Sequence, residues 1–89
     1  MKRVKMTVSG DVQGVFFRHF AKQEADRLGL AGWCRNESGG SVFIVIEGED
    51  KNVDHFIRWT KKGSELATVE SVEAKEEKYT GLEQGFEIR

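Results

Sequence analysis

Twice along this chain the hydrophobic period switches from two residues to nearly four and back, and the order of those switches restricts the fold more than any other feature. Val4, Met6 and Val8 alternate with Lys5, Thr7 and Ser9, the period of a strand with one buried face. After a glycine-punctuated turn, Phe17, Phe20, Ala21, Ala25 and Leu28 recur on one face at helical spacing. Gly29 and Gly32 then offer the left-handed stop that ends helices. A second strand is predicted over about Ala31 to Asn36, turning through Glu37-Ser38-Gly39-Gly40. The third, Val42 to Ile46, is apolar on both faces and belongs at the centre of a sheet. Asp50 reads as the N-cap of a second helix, with Val53, Phe56, Ile57 and Thr60 as its stripe and Gly63 as its stop. A fourth strand is expected near Val69–Tyr79, and a short last piece puts Phe86 and Ile88 on one side.

Strand–helix–strand–strand–helix–strand, with a terminal strand added, is the split βαβ or ferredoxin-like sandwich of the α+β class. Two helices pack on one face of a mainly antiparallel sheet of four to five strands, joined by right-handed crossovers. No repeat, low-complexity tract or linker divides the sequence, so residues 1–89 are read as a single domain. A net charge of −1 and a pI near 6.1 leave no overall field to draw the protein onto nucleic acid or an anionic membrane. Any anion it binds has to be captured locally. The lone Cys34 excludes an internal disulfide and any CxxC metal or redox site. Met1-Lys2-Arg3 leads at once into strand sequence, and no stretch approaches the ~18 apolar residues of a membrane span. The expected setting is the reducing cytoplasm.

The segment joining the first strand to the first helix is Gly10-Asp11-Val12-Gln13-Gly14-Val15-Phe16-Phe17-Arg18. Its two glycines permit positive-φ turns that aim successive N–H groups inward as an anion-binding nest. The helix start adds its own free N–H groups and the positive end of its dipole. Arg18 falls in the first helical turn, where a cation is disfavoured by about 0.3–1 kcal/mol. An anion held between the arginine and the helix end resolves that conflict, and a phosphate suits the guanidinium fork. Taken alone, the segment also reads as an ordinary turn followed by a solvated arginine, because isolated glycine motifs are weakly specific.

A second constellation bears on that choice. Gly32-Trp33-Cys34-Arg35-Asn36 is followed by Gly40-Ser41-Val42 and by Gly48. With residues 10–18 these segments resemble the two signatures of the acylphosphatases: Gly-x-Val-Gln-Gly-Val-x-Phe-Arg, then Gly-aromatic-small-x-Asn through Gly-x-Val to a final Gly. Gly85-Phe86-x-Ile88-Arg89 is similar to the family's C-terminus, so the resemblance covers nearly the whole chain. One departure is visible: family members often have a proline in the turn after the second helix, whereas Gly63-Ser64-Glu65-Leu66 has none. That turn is expected to lie away from the cradle.

The resemblance implies hydrolysis of acyl phosphates on a ferredoxin-like fold. Arg18 would bind the substrate phosphate together with backbone N–H groups of Gln13, Gly14, Val15, Phe16, Phe17 and Arg18, and Asn36 would position the attacking water. A carboxylate leaving group needs no general acid, and phosphoryl transfer relies on positioning and charge stabilisation. No metal and no cofactor is therefore expected, and no compact His/Asp/Glu cluster with ligand spacing is present in the sequence. The expected ligands are an acyl phosphate and inorganic phosphate, with no nucleic acid or membrane partner, on a monomer.

His19 and Cys34 invite other roles. His19 reads either as a phospho-accepting or basic group or as a half-exposed helix residue. Cys34, two residues before Asn36 and so on the same sheet face, reads either as a nucleophile or as a small buried hydrophobe. Rival functions are an RNA-binding module on the same element order, a sensor that binds a phosphorylated metabolite without turnover, and a domain that passes the cleaved group onward, as in larger carbamoyl-transferring proteins.

Overall fold

The alternation near the N-terminus becomes β1 (Lys2–Asp11), and the remaining elements follow in the order α1 (Phe17–Arg27), β2 (Ala31–Asn36), β3 (Val42–Gly48), α2 (Asp50–Lys62), β4 (Thr68–Glu77) and β5 (Phe86–Ile88). A computed structural model describes all residues from Met1 to Arg89. The five strands form one sheet in the order β4-β1-β3-β2-β5, antiparallel except for the β2–β5 pair. This is the ferredoxin-like α+β sandwich. β3 lies at its centre, as its two apolar faces require, and Val42, Ile44, Val45 and Ile46 are all buried.

The core is one cluster on the helix-covered face. Val4, Met6 and Val8 of β1 meet Phe17, Ala21 and Ala25 of α1, Ile44 and Ile46 of β3, and Val53 and Phe56 of α2. Trp59 completes the seam between the helices, with its ring 5.5 Å from Phe17 and 5.8 Å from Phe56. The opposite face carries Trp33 and Phe43, 5.6 Å apart, capped by the guanidinium groups of Arg35 and Arg89. On that face Glu47 is only 2% exposed. Burial pushes its carboxyl pKa up, but hydrogen bonds from Arg3 and Thr80 outweigh this and hold it below the usual range.

One helix boundary and one strand end differ from expectation. Asp50 is the first residue of α2 and not its cap; Glu49 occupies the cap position in an extended conformation with no side-chain bond. Asp50 therefore acts through the helix dipole and through an ion pair with the N-terminal ammonium of Met1 at 3.1 Å. Gly29 ends α1 as expected, with φ 68°. Leu30 N–H donates to Ala25 O and Gly29 N–H to Asp26 O, the two bonds of a Schellman motif. Gly32 plays no part in that stop. It lies inside β2, where a Cβ would overlap the carbonyl oxygen of Val45. β4 ends at Glu77, two residues before the expected Tyr79, because its ladder with β1 runs out at the Arg3–Glu77 pair.

Candidate active site

The segment singled out in the sequence leaves the sheet at a bulge. The β1–β4 register shifts between Ser9 and Gly10, and Gly10 passes so close to β4 that a Cβ would overlap the carbonyl oxygen of Thr68. The buried side chain of Val12 then anchors the loop in the core. Gly14 turns left-handed at φ 76°, and Phe16 does the same at φ 61°. Phe16 is the only non-glycine residue of the chain with positive φ, a conformation that disfavours any side chain and gathers at functional sites.

Phe16 is also the N-cap of α1, and it offers no side-chain acceptor; the first turn holds no acidic residue either. The first backbone bond of the helix runs from Phe20 N–H to Phe16 O at 3.1 Å. Ahead of it the N–H groups from Gly14 to His19 donate to no protein acceptor. A left-handed residue followed by right-handed helical ones turns consecutive amides into one concavity, and the helix dipole adds positive potential there.

Arg18 is the second residue of α1 and is half-buried. Arg3, Arg27, Arg35 and Arg89 each pair with a carboxylate; Arg18 and Arg58 pair with none, and of these two only Arg18 lies at the loop. Its charge reaches the end of β2. Burial pushes the Cys34 thiol up to about 11, while the positive charges of Arg18 and Lys22 pull the other way. Asn36 is the last residue of β2, exposed, and in register with Val42, so it shares the helix-facing side with Cys34. Gln13 ties loop and strand together: its Nε2 donates to Glu37 O and to Ser41 O, both at 2.8 Å.

Gly14, Phe16, Phe17 and Arg18 line one cavity of about 240 Å3 with Val12, His19 and Ile88. Three of the expected site residues lie outside it. The side chain of Gln13 is turned toward the β2–β3 turn, Val15 packs against the core, and Asn36 stands at the strand end. Val12 and Ile88 were not singled out as lining residues, although both fall within recognisable motifs. A larger hollow, about 680 Å3, opens elsewhere, between α1, α2 and the turn after α2. It holds none of the motif residues, so the smaller cavity is the candidate site.

The acylphosphatase family profile matches residues 4–88. An acylphosphatase of Rubrobacter xylanophilus is 50% identical over 88 residues, covering 99% of this chain and 80% of its own length. That of Thiobacillus denitrificans is 44% identical over 89 residues, covering 100% and 98%. The crystal structure of acylphosphatase from Bacillus subtilis superposes with a TM-score of 0.95 at 35% identity, over 100% of this chain and 99% of that one. The chain belongs to the acylphosphatase family.

Within this acylphosphatase framework the proline-free turn Gly63–Leu66 borders the larger hollow beside Trp59 and Phe20 and not the cradle. Cys34 is fully buried and, with its thiol raised to about 11, is protonated at neutral pH. His19 lies at the rim of the cavity, exposed, with its ring edge-on to Phe20 at 5.6 Å. No helix is long and apolar enough to cross a membrane.

Proposed function

We propose that this chain hydrolyses acyl phosphates to a carboxylate and inorganic phosphate, as a single-domain cytoplasmic monomer without metal or cofactor. The observation that carries this reading is the juxtaposition of unbonded N–H groups at the start of α1 with an arginine that has no carboxylate partner. The backbone of Gln13, Gly14, Val15, Phe16, Phe17 and Arg18 cradles the phosphoryl oxygens, and the Arg18 guanidinium takes two of them in its fork. Asn36 holds the attacking water through its side-chain amide. As the water oxygen bonds to phosphorus, the bond to the bridging oxygen breaks and the carboxylate departs with its electron pair. Both water protons stay with the phosphate product, so no general acid is required.

Positioning and charge stabilisation suffice for such a step. The membership of the family and the match of both signatures support the substrate class. The test is hydrolysis of benzoyl phosphate in excess EDTA. Continued turnover is expected. Strict dependence on added Mg²⁺ or Zn²⁺ would contradict the mechanism, and tight phosphate binding without turnover would make the protein a sensor.

A further inference from the structure

We infer that the outer, apolar wall of the cradle cavity is a subsite for the acyl group, in which Phe16 and Ile88 favour aryl and longer alkyl acyl phosphates over acetyl phosphate. This rests on the acylphosphatase reading and adds the half of the substrate that the phosphate cradle does not touch. The polar lining of the cavity is the backbone with Arg18 and His19; the rest is Val12, Phe16, Phe17 and Ile88. Val12 and Phe17 are buried in the core and form its floor. Phe16 and Ile88, by contrast, are 68% and 40% exposed and rise as walls. An apolar wall offers a phosphate nothing, since an anion gains only from the N–H groups and the guanidinium.

Both walls are held in place. Phe16 is fixed by its left-handed backbone at the cap of α1, a conformation in which a bulky exposed ring has no folding advantage. Ile88 sits in register with Cys34 on the helix-facing side of β5. That strand is tied down by Arg89 N–H to Cys34 O at 2.7 Å and by Lys22 Nζ to Phe86 O at 2.8 Å. The volume, about 240 Å3, lies just under the ~300–1,000 Å3 of sites for drug-sized ligands. It holds a phosphate with the near part of an acyl group against the two walls. Asn36 does not border this cavity.

The test measures kcat/KM for benzoyl phosphate and acetyl phosphate with the parent, Phe16→Ala, Ile88→Ala and Ile88→Val. The readout is the benzoyl-to-acetyl ratio of each variant divided by that of the parent, which cancels the intrinsic difference between the two leaving groups. Both alanine variants should lower the ratio about fivefold to tenfold, the low end of what an apolar contact supplies in discrimination. Ile88→Val, which keeps the apolar surface, should stay within about twofold of the parent. A ratio unchanged in both alanine variants, or loss of both substrates in step, overturns the subsite. A parent that hydrolyses neither compound would instead remove the acylphosphatase reading beneath it.

Discussion

Arg18→Gln separates binding from folding at a single residue, because the same charge is unfavourable for one and needed for the other. In the free protein Arg18 sits in the first turn of α1 with no carboxylate partner and no acidic neighbour in that turn. Removing a cation from that position should relieve about 0.3–1 kcal/mol. For a domain of this size that corresponds to a rise in Tm of up to about 8 °C. Substrate reverses the sign. Two charge-assisted hydrogen bonds to phosphoryl oxygens, at about 1.5–3 kcal/mol each, come to roughly 4 kcal/mol. Their loss lowers kcat/KM by about 10³-fold. Thermal unfolding with and without inorganic phosphate reads both effects. The parent should gain about 2.7 kcal/mol at 100 times its Kd, whereas the variant should start more stable and gain little. A folded variant within tenfold of the parent, or one whose phosphate-induced shift persists, would refute the role given to Arg18.

Asn36→Ala should lower kcat with little change in KM, the pattern of an interaction made mainly in the transition state; a raised KM with kcat intact would make Asn36 a substrate-binding residue. Cys34, with its thiol near 11, holds about one thiolate in 10⁴ molecules at pH 7. It should resist an aromatic disulfide reagent in the native protein and react on unfolding. Cys34→Ala and His19→Gln should each keep most activity, and quenching during turnover should trap no phosphorylated protein. A phospho-enzyme lost in either variant would assign the nucleophile to that residue.

The element order, the central place of β3 and the helix end at Gly29 were legible because each follows from a local rule, period or cap, that tertiary packing did not overrule. Gly32 looks locally like a helix stop, because no local pattern shows the strand that passes against it. The close approach of Val45 is what requires glycine there. Asp50 suits a cap by residue type, yet the boundary falls one residue earlier, at Glu49. In the cradle, Gly10, Gly14 and Arg18 were visible as types suited to an anion. The left-handed Phe16 was not, since nothing about phenylalanine announces positive φ. The contribution of Ile88 depends on β5 pairing parallel to β2 at the far end of the sequence, a long-range fact that no local pattern encodes. Nor could the sequence show that Gln13 turns its side chain away from the cavity to bind the β2–β3 turn.

The central claim is that this cradle supplies positioning and positive charge without a group to protonate a poor leaving group. Alkyl phosphate monoesters expel an alkoxide, which needs an acid or a metal ion to take up its charge. The same cavity should therefore bind monoesters through their phosphoryl group and turn them over slowly. The deciding measurement is kcat/KM for benzoyl phosphate against a sugar phosphate, at one pH and in EDTA. The expected result is a ratio of at least about 10³, roughly 4 kcal/mol in barrier. Comparable rates on the two substrates would contradict it and would require a general acid in the site, with His19 at the cavity rim the first residue to examine.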